Sequence, residues 1–185
     1  MEVTLVVLAI ILPFLLVLGI TIAYVRKRQA SARRFALAQE PSTITLIGVR
    51  DGDFRASLAQ ALEYGGPSRR VPLEFLVTIA PGGMTFWTFA RSPQTLFEFP
   101  AARVLDVAVG TVTERPEYRL PARARLALLI APLDDSASRK TVLQFTASEV
   151  HRESQRLRFA GEVELDSIAD RARGVLGVGG PSPGD

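Results

Sequence analysis

The chain has no cysteine in its 185 residues, and only one histidine, one tryptophan and two methionines. Without cysteine, disulfide staples and thiolate metal sites are excluded. His151 is the only histidine, so no histidine pair can ligate a metal, and in the polar stretch "SEVHRESQR" it is expected at the surface. No Walker phosphate loop, no G-x-G-x-x-G after a strand and no serine nucleophile elbow between a strand and a helix is found. No cofactor, metal or catalytic group is therefore expected. A basic nucleic-acid-binding domain is missing as well, although the pI is 9.8. Residues 1 to 34 hold five of the 22 lysines and arginines and one of the 19 acids, which leaves the remainder at a formal −1.

The chain does have one long apolar run, "VTLVVLAIILPFLLVLGITIAYV", residues 3 to 25, which carries no charge. As a helix it would be about 34 Å long, against about 30 Å of bilayer hydrocarbon. It lacks a cationic amino-terminal region and is too long for a cleaved leader, so a permanent single-pass anchor is expected. Pro13 removes one backbone donor near the middle, and Tyr24 falls where an interfacial aromatic belongs. Arg26, Lys27, Arg28, Arg33 and Arg34 follow the run, while no cation precedes it. That imbalance predicts residues 1 to 2 outside the cell membrane and the carboxyl side in the cytoplasm. The same five cations are expected to face the bilayer surface and to set the topology.

From 26 to 41 a basic juxtamembrane helix is predicted, ended by Pro41. Residues 42 to 69 read as a strand ("TITLIGV"), a short amphipathic helix with Phe54, Leu58 and Leu62 spaced by four, and a linker ("GGPSRR"). After Arg70 the period changes to two. In "VPLEFLVTIA" Leu73, Phe75, Val77 and Ile79 share one face, and "MTFWTFAR", "TLFEF", "ARVLDVAVG", "RLALLIA" and "KTVLQFTA" continue an antiparallel meander. "VELDSIADRARGVL" closes it as a helix, and 177 to 185 is expected to be a disordered tail. The predicted fold class is thus α+β: a transmembrane helix, then a curled antiparallel sheet over 70 to 176 capped by a carboxyl-terminal helix.

The stretch "LEFLVTIAPGGMTFWTFARSPQTLFEFPAARVLDVAVG" resembles the strand, glycine turn, strand, turn and "F-x-x-P-A-A-x-V" progression of bacterial pleckstrin-homology-like domains, including membrane-tethered ones of actinobacteria. The closing helix stands where that family has its capping helix. The resemblance implies a binding or scaffold module rather than an enzyme. Phosphoinositide binders of the fold carry basic residues in their first hairpin, and "APGGMT" (80 to 85) has none, so that activity is not implied.

Outside the anchor, Asp134 and Asp135 fall in a serine-rich turn, and Phe86, Trp87, Phe89, Phe97 and Phe99 are expected to be core rather than a stacking platform for nucleic acid. The candidate partner-binding surface is "ERPEYRLPARAR", where Arg115, Tyr118, Arg119, Arg123 and Arg125 could grip an acidic or phosphorylated group through bidentate bonds. The functional expectation is a membrane-anchored cytoplasmic module that recruits a protein partner or a second copy, or contacts the inner leaflet. The alternative is an accessory or regulatory subunit of a membrane-bound enzyme or transporter. No nucleic acid and no metal is expected.

Overall fold

A computed structural model describes residues 2–50, 54–62, 71–111, 124–132, 140–150 and 162–178. Helix α1 runs unbroken over Glu2–Ala38 and is followed by β1 (Ile44–Arg50), α2 (Phe54–Ala61), β2 (Glu74–Ala80), β3 (Gly83–Thr88) and β4 (Thr95–Pro100). A 3-10 turn, Ala101–Arg103, leads into β5 (Val104–Thr111), and β6 (Ala124–Ile130), β7 (Thr141–Glu149) and α3 (Glu162–Leu176) are the remaining elements among the described residues. The domain is α+β, as the alternating pattern predicts. All seven strands form one antiparallel sheet in the order β4-β3-β2-β1-β7-β6-β5.

The expected domain boundary at residue 70 is corrected by this order. β1 is the central strand, paired on one side with β2 (Leu46 opposite Val77) and on the other with β7 (Gly48 opposite Ala147). Removing it would leave two rows of backbone donors and acceptors unpaired in the middle of the sheet. α2 belongs to the same unit, since its buried face of Phe54, Leu58 and Ala61 enters the core. Phe54 stacks on Phe75 at 5.1 Å and meets Phe145 edge-on at 6.2 Å. At Gly48 the Phe75 ring takes the space a side chain would need.

Leu46, Phe75, Val77, Ile79, Phe86 and Leu128 point into this interior, and α3 covers it with Leu165, Ile168, Ala169 and Ala172. Arg173 fastens α3 to the sheet by donating to the Val107 carbonyl at 2.7 Å. Gly177, at φ 68°, ends α3, and the Val178 N–H closes back on the Arg173 carbonyl at 3.1 Å. Most of the expected tail, 179 to 185, lies outside the described residues.

Strict alternation fails in β2, where Phe75 through Ile79 are all buried. The outer face is covered too, by the carboxyl-terminal part of α1: Ala32 and Ala36 pack on Ile47, Leu76 and Val150, with Phe35, Trp87 and Phe89 around them. Leu73, expected to point inward with Phe75, instead precedes the strand and is 59% exposed.

Candidate functional site

The junction between α1 and the outer face of the sheet gathers the charged and aromatic side chains that the interior does not use. "QASARRFALAQ" supplies small residues at 32 and 36 on one face of the helix, so the backbone approaches the sheet closely, and Phe35 reaches over the edge of that contact. On β3 the pleat sends Met84 and Phe86 inward and Trp87 outward. Phe35 and Trp87 meet edge to face at 5.4 Å, and the Trp87 indole N–H donates to Thr78 Oγ1 at 2.9 Å. One helical stretch nearer the amino terminus, Arg28 pairs with Glu74 at the start of β2. Its guanidinium also lies over the Phe89 ring, 4.5 Å from the centroid. The two ion-pair side chains keep 21% and 32% exposure, so solvent screens the pair and its contribution is below about 1 kcal/mol.

Arg28 is therefore not lipid-facing as expected: it is spent on the domain, because Glu74 and Phe89 both come within its reach. Arg26 and Lys27, one turn before the docked segment, are exposed, as is Arg34, while Arg33 is half-buried. Of the expected partner surface, Arg115, Tyr118, Arg119 and Arg123 lie outside the described residues. Arg125 does not belong to a loop. It is the second residue of β6, opposite Gly110 of β5, and is only 8% exposed. The physical reason is that β6 starts at Ala124, which draws Arg125 into a strand whose neighbours cover it. His151, Asp134 and Asp135 also lie outside the described residues.

Phe86, Phe97 and Phe99 form part of the interior, with Phe86 stacked on Phe97 at 4.4 Å. Trp87 and Phe89 pack instead against a second apolar cluster on the outer face of the sheet, partly buried under α1. Glu74, Phe35 and Thr78 carried no marker in the sequence. The available signal was aromatic residues on both faces of β3 beside an alanine-rich helix.

At the opposite end, an open groove of about 540 Å³ lies between the α1–β1 turn, the end of β7 and α3. Its charged groups, Glu149 and Arg171, pair with each other at 2.5 Å. Among the described residues, no cluster of metal-ligating side chains is present.

Along α1 the large side chains of Leu12, Phe14, Leu16, Val17, Ile20 and Tyr24 are each more than 60% exposed on one broad side of the helix, and Ile11, Leu15, Leu18 and Ile22, also exposed, occupy the other, so apolar side chains surround the axis. The described side chains of α1 begin at Ile11, from which 15 uncharged residues precede Arg26. Among the described residues, no helix is long and apolar enough to cross a membrane.

No protein-family model matches the chain. Comparison with curated proteins finds no match either.

Proposed function

We propose that this protein is a single-pass, membrane-anchored, non-enzymatic binding module of pleckstrin-homology-like fold, with its β domain on the cytoplasmic side. The observation that carries this reading is the division of α1 into two environments. From Ile11 to Val25 its large apolar side chains are exposed around the axis, whereas from Arg28 onward the same helix is seated on the sheet. A helix that is apolar all round needs an apolar surrounding, and the uncharged run, counted from Val3, matches the bilayer's thickness. The cations that follow Val25 favour the carboxyl side inside. The seven-stranded antiparallel sheet closed by a carboxyl-terminal helix supports the pleckstrin-homology-like reading, and the mutual pairing of Glu149 and Arg171 in the groove speaks against catalysis there.

The test is a pair of reporters fused after Asp185. Green fluorescent protein should fluoresce and alkaline phosphatase should be inactive. Active phosphatase overturns the orientation, and recovery of the chain in the soluble fraction after alkaline carbonate overturns the anchor.

A further inference from the structure

We infer that the rim of the domain nearest the α1 exit is a second membrane contact, in which Leu73 and Arg91, with Arg26 and Lys27, rest on the headgroups of an anionic leaflet. The inference rests on the anchoring proposed above and is derived from how α1 is seated. Arg28 is three residues past Val25, about 4.5 Å further along the helix axis, and Phe35 is about 10 Å further still. Arg28 is level with Glu74 and Phe89, and Phe35 is level with Trp87. Passing from Trp87 through Thr88, the end of β3, to Phe89, the chain therefore runs back toward the membrane end of α1. The turn that follows, residues 89 to 94, continues beyond Phe89 in that direction, toward the end of α1 that carries Arg26 and Lys27.

β2 runs the other way. It starts at Glu74 beside Arg28, so Leu73 is one step nearer the bilayer than that ion pair. The β3–β4 turn is held in place by the Thr88 N–H donating to the Gln94 carbonyl at 2.8 Å and the Gln94 N–H donating to Thr88 Oγ1 at 2.9 Å.

What this end of the molecule offers is an exposed large apolar side chain, Leu73, together with three exposed cations, Arg26, Lys27 and Arg91. Among the described residues, Glu74 is an acid at this level, and it is paired with Arg28. An apolar residue set among cations at the depth where a helix leaves the hydrocarbon fits a negatively charged lipid surface. The opposite end, the β2–β3 turn at Gly82, is a strand length away, about 23 Å, and faces the cytoplasm. Docking by α1 thus fixes which end of the domain a soluble partner can approach.

The absence of native cysteine makes the test clean. Full-length Leu73→Cys, Arg91→Cys and Gly82→Cys proteins, each carrying a nitrobenzoxadiazole label, are reconstituted in vesicles of phosphatidylcholine and phosphatidylglycerol doped with a headgroup spin-labelled lipid. Gly82 is exposed, and a side chain there meets nothing within 4 Å, so it is a tolerant control. An unshifted Trp87 emission verifies the fold of each variant. Labels at 73 and 91 should be strongly quenched and the label at 82 should not. Arg91→Gln in the Leu73→Cys protein should lower the docked-to-free ratio about fivefold. Release of the protein by carbonate overturns the anchor and this contact together. In protein that is retained, quenching at 73 and 91 no greater than at 82, or undiminished in phosphatidylcholine alone, overturns the contact and leaves the anchor standing.

Discussion

The Arg28 guanidinium lies 4.5 Å from the centroid of the Phe89 ring while its tip pairs with Glu74. One side chain thus joins the first cationic turn after the apolar run to the start of β2 and to the β3–β4 turn. Cation–π attraction at a partly exposed site contributes about 0.5–1 kcal/mol, similar to the screened ion pair. A double-mutant cycle of Arg28→Ala and Glu74→Ala, followed by thermal melts of the detergent-solubilised protein, should give a coupling below about 1 kcal/mol. Arg28→Ala alone should cost more than Glu74→Ala, because it also removes the ring contact. Equal losses would show that the Phe89 contact contributes nothing.

Phe35→Ala should move the emission of the only tryptophan to longer wavelength, since Trp87 loses its edge-to-face neighbour at 5.4 Å and gains water. The aromatic pair itself is worth about 0.5–1.5 kcal/mol. Unchanged emission would mean that the helix is not seated on Trp87 in solution.

Two truncations separate the anchor from the seat. Removing residues 1 to 25 should leave a soluble, folded domain that keeps the docked segment of α1. Removing 1 to 41 uncovers Ile47 and Leu76, which are otherwise buried, and should lower stability by at least about 2 kcal/mol relative to the shorter deletion. Denaturant melts of the two products make the comparison, and identical midpoints would show the seat to be energetically idle.

Gly82→Ala and Gly83→Ala differ by one position and should differ sharply in outcome. Gly83 has φ 139°, and a side-chain carbon there would stand 2.2 Å from the Phe99 carbonyl oxygen, whereas at Gly82 it would meet nothing. Gly83→Ala should therefore cost about 1–3 kcal/mol or more, and Gly82→Ala close to nothing, in paired thermal melts.

Phe54→Ala should cost about 3–5 kcal/mol, the range for emptying a fully buried aromatic site. Phe54 touches the rings of Phe75, Phe86 and Phe145, so α2 is part of the core rather than a lead-in to it. A loss below about 1 kcal/mol would restore the boundary near residue 70.

Local pattern by itself determined the element types. The uncharged run at 3 to 25, the period-two strands from 74 to 149, the spacing of Phe54 and Leu58, and the stop at Gly177 each arise from neighbours a few residues apart, and periodicity reports those directly. What only the tertiary structure decided was which elements share a surface. That β1 inserts between β2 and β7, that Arg125 is covered within β6, and that Arg28 leaves the lipid-facing group for Glu74 and Phe89 all depend on partners dozens of residues away. The Leu76 face of β2 shows the reason most simply. Its apolar character is written in the chain, but whether an apolar face meets water, a bilayer or a helix is set by long-range packing, and here Ala32 and Ala36 of α1 close over it.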